Sequence, residues 1–227
     1  MPVRFSILFV IMCVCVFACN TKNKQTQNKN ALFQLQAASQ TGINFTNTIT
    51  DTKEFNILTY HNFYNGGGVA IGDVNNDGKP DIFFTANQLR NKLFINKGNW
   101  KFEDASEKSG IVSNHTWNTG VTIVDINNDG WLDIYICNSG NNPDDNRANE
   151  LWINQHNGTF KEEAHQYGLD DKGPSTQATF FDYDHDGDLD CFVLNNAPQS
   201  INSFGYNSNL RNVRDTINGD HLYRNDN

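Results

Sequence analysis

Basic residues, long apolar runs and catalytic signatures are all scarce in this chain. Lys and Arg number 17 against 26 Asp and Glu, for a net charge of −9. That balance disfavours a nucleic-acid partner, because phosphate backbones are gripped by clustered cations. No apolar stretch reaches the roughly 18–20 residues a membrane-spanning helix requires. The six histidines (His61, His115, His156, His165, His185, His221) form no His-Glu-x-x-His pair and no repeated register, so each reads as a surface or structural residue. A Gly-x-Ser-x-Gly elbow is also missing, and Gly66-Gly67-Gly68 leads toward a strand rather than a phosphate-cradling helix. What the chain does have is aromatic surface and turn residues. Sixteen Phe and 12% aromatic content exclude a disordered chain. Abundant Asn, Asp and Gly point to many tight turns and an all-β protein.

The first residues read as an address. Arg4 precedes Phe5–Phe17, a 13-residue and almost wholly apolar run, which has the length of a secretory h-region. It ends in Val16-Phe17-Ala18-Cys19-Asn20, which resembles a bacterial lipobox with Cys19 as the lipidated residue; an ordinary signal peptide that happens to carry a cysteine is the other reading. Residues 1–18 are thus expected to be a lipoprotein signal. Residues 19–41 are expected to be the lipidated Cys and a flexible tether, since 20–31 hold no large apolar side chain to bury. Of five cysteines, Cys137 and Cys191 alone would remain free. The repeat register puts them on opposite strand faces, so no disulfide is expected between them.

Self-comparison reveals a repeat. Asp73-Val74-Asn75-Asn76-Asp77-Gly78-Lys79-Pro80-Asp81 recurs as Asp125-Ile126-Asn127-Asn128-Asp129-Gly130-Trp131-Leu132-Asp133, and again as Asp182-Tyr183-Asp184-His185-Asp186-Gly187-Asp188-Leu189-Asp190. The copies start 52 and then 57 residues apart. A second motif travels with them: Leu93 to Asn96, Leu151 to Asn154 and Leu222 to Asn225. From the last Asp of each loop to the following Leu the distance grows from 12 to 18 to 32 residues, so insertions concentrate at one equivalent connection, as in repeat architectures. Alternating residues before each loop (Val69/Ile71, Val121/Ile123, Ala178/Phe180) suit a strand with two unlike faces. The unbroken runs after it (Ile82–Phe84, Ile134–Cys137, Cys191–Leu194) suit a strand covered on both sides. Asn157-Gly158 marks a hairpin, and Lys97-Gly98 a weaker one in the same place. Such a unit has the size of one propeller blade.

The Asp loops carry the chemistry. Side-chain oxygens at loop positions 1, 3, 5 and 9 (Asp73, Asn75, Asp77, Asp81; Asp125, Asn127, Asp129, Asp133; Asp182, Asp184, Asp186, Asp190) can converge if the chain turns sharply. Gly78, Gly130 and Gly187 permit that turn, and the position 7 carbonyls of Lys79, Trp131 and Asp188 offer one more oxygen. An oxygen-rich cage of this kind suits Ca²⁺. Eleven of the 26 acidic residues lie in the three loops, and three bound Ca²⁺ would bring the formal charge from −9 to −3. An EF-hand is excluded, because its position 12 needs Glu and here holds Phe84, Ile136 and Val193.

With their flanking strands, the loops resemble the FG-GAP/VCBS repeats of integrin α-subunit propellers. The stretch from Asn56 to Asn96, including Tyr64-Asn65-Gly66-Gly67-Gly68, is similar to bacterial VCBS-repeat lipoproteins, some of which end in an ASPIC/UnbV domain. The resemblance covers 42–227 and implies an incomplete β-propeller of about three blades with calcium-binding loops. It also implies a non-catalytic, lipid-anchored cell-envelope module that binds a protein or glycan, with the lipid its sole membrane attachment. The outer membrane is the expected location, on its periplasmic or surface face. The variable segments 138–150 and 195–221 are the expected contact. A fragment of a longer lipoprotein is expected, since such propellers close with about seven blades. A polysaccharide-cleaving propeller with its active residues in missing blades is the rival reading, and RNA binding a third that the negative charge opposes.

Overall fold

The computed structural model describes residues 30–115, 117–140, 146–196 and 214–226. The expected signal, Cys19 and tether residues 20–29 lie outside these, as do 141–145 and 197–213 of the two variable segments. The chain divides into residues 1–36 and 37–227, and the second unit holds the fold. A single helical turn, α1 (Ala38–Thr41), closed by left-handed Gly42, falls within the segment read as tether.

Among the described residues eleven strands follow: β1 (Val69–Gly72), β2 (Asp81–Phe84), β3 (Lys92–Asn96), β4 (Phe102–Asp104), β5 (Asn118–Val124), β6 (Asp133–Asn138), β7 (Glu150–Asn154), β8 (Phe160–Glu162), β9 (Ser175–Phe181), β10 (Asp190–Asn195) and β11 (His221–Tyr223). A second short helix, α2 (Ala164–Tyr167), lies between β8 and β9. The strands form three antiparallel meanders, β1-β2-β3-β4, β5-β6-β7-β8 and β9-β10-β11, one per repeat. The protein is all-β, an incomplete propeller of three blades.

Radial stacking explains both sequence patterns. In β6, Ile134 and Ile136 enter the core shared with the first blade, beside Phe83, Leu93, Val121 and Trp152. Tyr135 and Cys137 enter the core shared with the third blade, beside Leu151, Ala178, Cys191 and Val193. The central blade is therefore buried on both faces, and its run is unbroken because a period-2 strand covered on both sides needs apolar residues at every position. The innermost strands lie closest together. A Cβ on Gly68 would stand 2.8 Å from the Thr119 carbonyl, so only glycine allows that approach. Thr119 Oγ1 donates to Ser175 O at 2.7 Å and Thr122 Oγ1 to Ala178 O at 2.6 Å, stitching β5 to β9.

Two expectations hold, each with a detail that the structure adds. Cys137 and Cys191 are free, and opposite faces of successive blades do not separate them: those faces meet, so both sit in one core. The Asn157-Gly158 hairpin is a five-residue loop closed by Gln155 N→Thr159 O at 2.9 Å, with the left-handed residues at His156 and Gly158 rather than at two adjacent centres. Segment 43–66 also folds against the blades. Phe55, Tyr60 and Phe63 surround the buried Trp117 at ring-centroid distances of 4.9–5.4 Å.

Candidate functional site

Each Asp loop joins the first strand of its blade to the second, closed by Gly72↔Asp81, Val124↔Asp133 and Phe181↔Asp190. The hairpins joining third and fourth strands share this end of the blades. The second strands end and the third strands begin at the opposite end of the blades (Phe84 and Lys92, Asn138 and Glu150, Asn195 and His221). The described ends of the variable segments are therefore at the end away from the Asp loops.

Local backbone chemistry makes the three loops alike. Position 4 is left-handed in each (Asn76 φ 55°, Asn128 φ 55°, His185 φ 63°), as is position 6 (Gly78 φ 82°, Gly130 φ 84°, Gly187 φ 101°). Asn tolerates that region better than most residues. The alternation turns backbone N–H groups inward onto the position 1 carboxylate. Gly78 N reaches Asp73 Oδ2 at 2.7 Å, Gly130 N reaches Asp125 Oδ2 at 2.8 Å and Gly187 N reaches Asp182 Oδ2 at 3.2 Å. Position 3 Asn and position 5 Asp repeat the device. Asn75 Oδ1 accepts from Asp77 N and Asn127 Oδ1 from Asp129 N, both at 3.1 Å. Asp77, Asp129 and Asp186 accept from the N–H of Lys79, Trp131 and Asp188 at 2.9, 2.8 and 3.0 Å.

Position 9 is the buried foundation. Asp81 accepts from Val74 N (3.1 Å) and Asn96 N (2.8 Å), Asp133 from Ile126 N (3.2 Å) and Asn154 N (2.8 Å), and Asp190 from Tyr183 N and Asn225 N (both 2.9 Å). Burial raises the Asp81 carboxyl and pushes Asp133 up to about 6, against the lowering effect of those amides. The fourth residue of the Leu motif is thus what the sequence reading lacked: Asn96, Asn154 and Asn225 latch each loop to the third strand. Asn154 goes further, donating Nδ2 to Val74 O at 2.8 Å in the preceding blade and to Leu132 O at 3.1 Å. Its signal was the fixed company that motif keeps with the loops.

The loops differ in countercharge. Lys79 Nζ pairs with Asp77 Oδ2 at 3.1 Å, and its hydrogen bond holds the Asp77 carboxyl below the usual carboxylate range. His156 Nε2 meets Asp129 Oδ2 at 3.0 Å, and its ring stacks on Trp131. In the Asp129 carboxyl, desolvation is outweighed by His156 and by the amides of Trp131 and Asn127, so its pKa falls. Neither basic partner was read from sequence. The third loop has five carboxylates and, nearby, Arg224, which is paired with Asp226 at 2.8 Å. Here Asp182, Asp184 and Asp190 each bring an oxygen within 4.8 Å of the others, the one such acidic trio among the described residues. Asp182 Oδ1 is buried without a hydrogen-bond partner among them. Asp184 is pushed up by desolvation and then by Asp186 and Asp190. The structure thus gathers Asp182, Asp184 and Asp190 directly, whereas Asp73, Asn75, Asp77 and Asp125, Asn127, Asp129 are gathered through amide hydrogen bonds.

Residues 73–136 and 136–193 match the model of the FG-GAP-like repeat. Among curated proteins, the chain is similar to cartilage acidic protein 1. Identity with the mouse protein is 28% over 135 residues, which is 60% of this chain and 20% of that protein. With the Xenopus tropicalis protein it is 37% over 78 residues, 34% of this chain and 12% of that protein. The human protein is 37% identical over 76 residues, 33% of this chain and 12% of its own length. The chain therefore spans a fifth or less of the length of these relatives.

Proposed function

This chain belongs to the FG-GAP-like repeat family, and on that footing we propose that it is a calcium-stiffened, non-catalytic binding module. The observation that carries the reading is the third loop. Asp182 Oδ1 is buried with no partner among the described residues, beside oxygens of Asp184 and Asp190. An unpaired buried carboxylate oxygen next to two like charges is costly unless a cation takes it. The residues present fit a hard cation: carboxylates and amide oxygens with backbone carbonyls near, and no soft ligand among them. Ca²⁺ would supply there the positive charge that clustered carboxylates lack. Asp182, Asp184, Asp186, Asp190 and the Asp188 carbonyl would hold it. The equivalent sets, Asp73, Asn75, Asp77, Asp81 with the Lys79 carbonyl, and Asp125, Asn127, Asp129, Asp133 with the Trp131 carbonyl, would hold two more.

The family suggests the binding role. In this reading the ions stiffen one end of the blades, and the variable segments 138–150 and 195–221, whose described ends are at the other, are the contact for a protein or glycan. Anchoring through a lipid on Cys19, at a bacterial envelope and in the manner of VCBS-repeat lipoproteins, rests on residues 1–19. The non-catalytic reading rests on the family and on the sequence, which carries no Gly-x-Ser-x-Gly elbow and no His-Glu-x-x-His pair.

Native mass spectrometry of the full chain with Ca²⁺ tests the reading. About three ions are expected, the third loop filling first, with affinities of about 10⁻⁴–10⁻³ M. A chain that takes up none at about 5 mM refutes it. Cys19→Ala should release the protein from the membrane fraction, and its retention there would reject the anchor.

A further inference from the structure

The third sheet ends at β11, which pairs with β10 alone among the described residues, whereas β3 and β7 each also pair with a fourth strand. Both fourth strands begin with phenylalanine, Phe102 and Phe160. Phe160 shows what that position does. Its ring enters the core between the first and second blades, and its N–H donates to Ser109 O at 2.9 Å. The strip that receives it is Ser109-Gly110-Ile111 of the first blade. Ser109 is fully buried, Gly110 is left-handed (φ 73°) and Ile111 joins the same core.

The next pair of blades carries the same receiving strip. Tyr167-Gly168-Leu169 stands 58 residues on from Ser109-Gly110-Ile111, the spacing that also separates Leu93 from Leu151 and Phe102 from Phe160. Gly168 repeats the left-handed turn (φ 69°), and Leu169 enters the core between the second and third blades. Where Ser109 is fully buried, Tyr167 is 40% exposed and borders a cleft of about 1040 Å³. Gly168, Leu169, Phe180 and Tyr223 line the same cleft, and Arg224 and Asp226 carry it to the edge of β11. That edge presents the groups that a fourth strand uses elsewhere. Leu93 O and Leu151 O accept from Ala105 N and Glu163 N, both at 2.8 Å. Lys97 N and Gln155 N donate to Lys101 O and Thr159 O at 2.7 and 2.9 Å. Their equivalents in the third blade are Leu222 O and Asp226 N, and Leu222 is 52% exposed. Ladder groups at an open edge beside an apolar slot are what strand addition requires.

We propose that this cleft and the β11 edge form a strand-addition site for an extended peptide segment of a partner protein, whose phenylalanine fills the slot that Phe160 fills one blade earlier. The phenylalanine N–H meets Tyr167 O. Asp226 N donates to the carbonyl of the residue before it, and Leu222 O accepts from the residue three places after it. A peptide is favoured over a glycan because the edge asks for backbone amides at strand spacing, which a sugar does not carry. The inference goes beyond the contact proposed for segments 138–150 and 195–221 and does not rest on the ion.

The test is a ¹H–¹⁵N NMR titration of the full chain, in calcium and in chelator. The probe is the blocked peptide N-acetyl-Asn-Gly-Thr-Phe-Lys-Glu-Glu-amide, which copies residues 157–163. The backbone amides of Gly168, Arg224 and Asp226 should shift saturably, and that of Asp226 should exchange more slowly with solvent. Replacing the phenylalanine of the peptide by alanine should weaken binding about tenfold to hundredfold. N-methylating it, which removes the donor to Tyr167 O, should cost about tenfold. Asp226→Pro removes the edge donor at an exposed position and should also cost about tenfold. Silence of all three amides at about 5 mM peptide would overturn the proposal. So would equal binding of the alanine peptide, or unchanged binding by a folded Asp226→Pro. A dimer in sedimentation velocity that the peptide cannot dissociate would put a second copy in the cleft and overturn it too. A chain that takes Ca²⁺ but ignores the peptide sinks only the cleft. Peptide binding in a chain that takes no ion sinks only the calcium reading.

Discussion

Replacing Asp184 by Asn turns position 3 of the third loop into the residue found at Asn75 and Asn127, and so removes one carboxylate from the trio without changing its shape. Two opposite effects should follow. In chelator the variant should melt at or above the parent, because Asp186 and Asp190 no longer repel a third charge and Asp182 Oδ1 gains an amide neighbour. In calcium it should gain less. At 10 mM Ca²⁺ a site with Kd of about 10⁻⁴–10⁻³ M stabilises by about 1.4–2.7 kcal/mol. For a folded unit of this size that corresponds to about 3–10 °C in Tm. A tenfold weaker site should forfeit about 2–5 °C of that gain. The assay is a thermal melt followed by circular dichroism, parent against Asp184→Asn, each with 10 mM Ca²⁺ and with chelator. Equal melting of the parent in both conditions, or an equal loss by the variant in both, would refute the reasoning.

The latch can be tested by comparing Asn154→Ala with Asn96→Ala. Both variants free one hairpin amide (His156 N or Gly98 N), but the first also strips two carbonyls of their donor at a buried site spanning two blades and should cost about 2–4 kcal/mol in urea unfolding, while the second strips only one carbonyl, Pro80 O, at a partly exposed site and should cost about 1 kcal/mol. Comparable losses would reject the cross-blade role. Trp117→Ala should cost about 3–5 kcal/mol, because it empties the centre of an aromatic cluster, whereas Trp100→Ala, 68% exposed, should stay within about 0.5 kcal/mol. Asp133, raised from 3.8 to about 6, keeps its proton longer when folded than when unfolded. Its effect on stability is therefore absent below about pH 4 and grows to a loss of about 3 kcal/mol as pH rises through 6 in chelator. A carboxyl-carbon NMR titration should place its midpoint near 6, and a midpoint at or below 4 would contradict the burial argument.

Much of the architecture was legible because a period-2 pattern and a thrice-used loop leave few alternatives. Ile134–Cys137 could be read as doubly covered, since nothing but a neighbour on each side explains four apolar residues in a row. The loop turn was legible from Gly78, Gly130 and Gly187, whose left-handed conformation other side chains resist. The pairs Lys79–Asp77 and His156–Asp129 were not. The first depends on a flexible side chain folding back, and the second on a hairpin loop 27 residues away in sequence. Asn154 reaching Val74 O across 80 residues was equally hidden. The cysteines show the limit well: strand register assigned each its face correctly, but not which faces meet.

Local order, then, was determined by the residues themselves: where strands alternate, where the chain must turn, where carboxylates crowd. These follow from backbone sterics and spacing within a few positions. Which polar groups find partners was decided only by the stacking of one blade on the next. Among the described residues Asn149 Nδ2 is satisfied and Asn91 Nδ2 is not, because the hydroxyls of Tyr135 and Ser175 arrive from elsewhere in the fold. Hydrogen bonds require contact at about 3 Å, and sequence distance does not measure that.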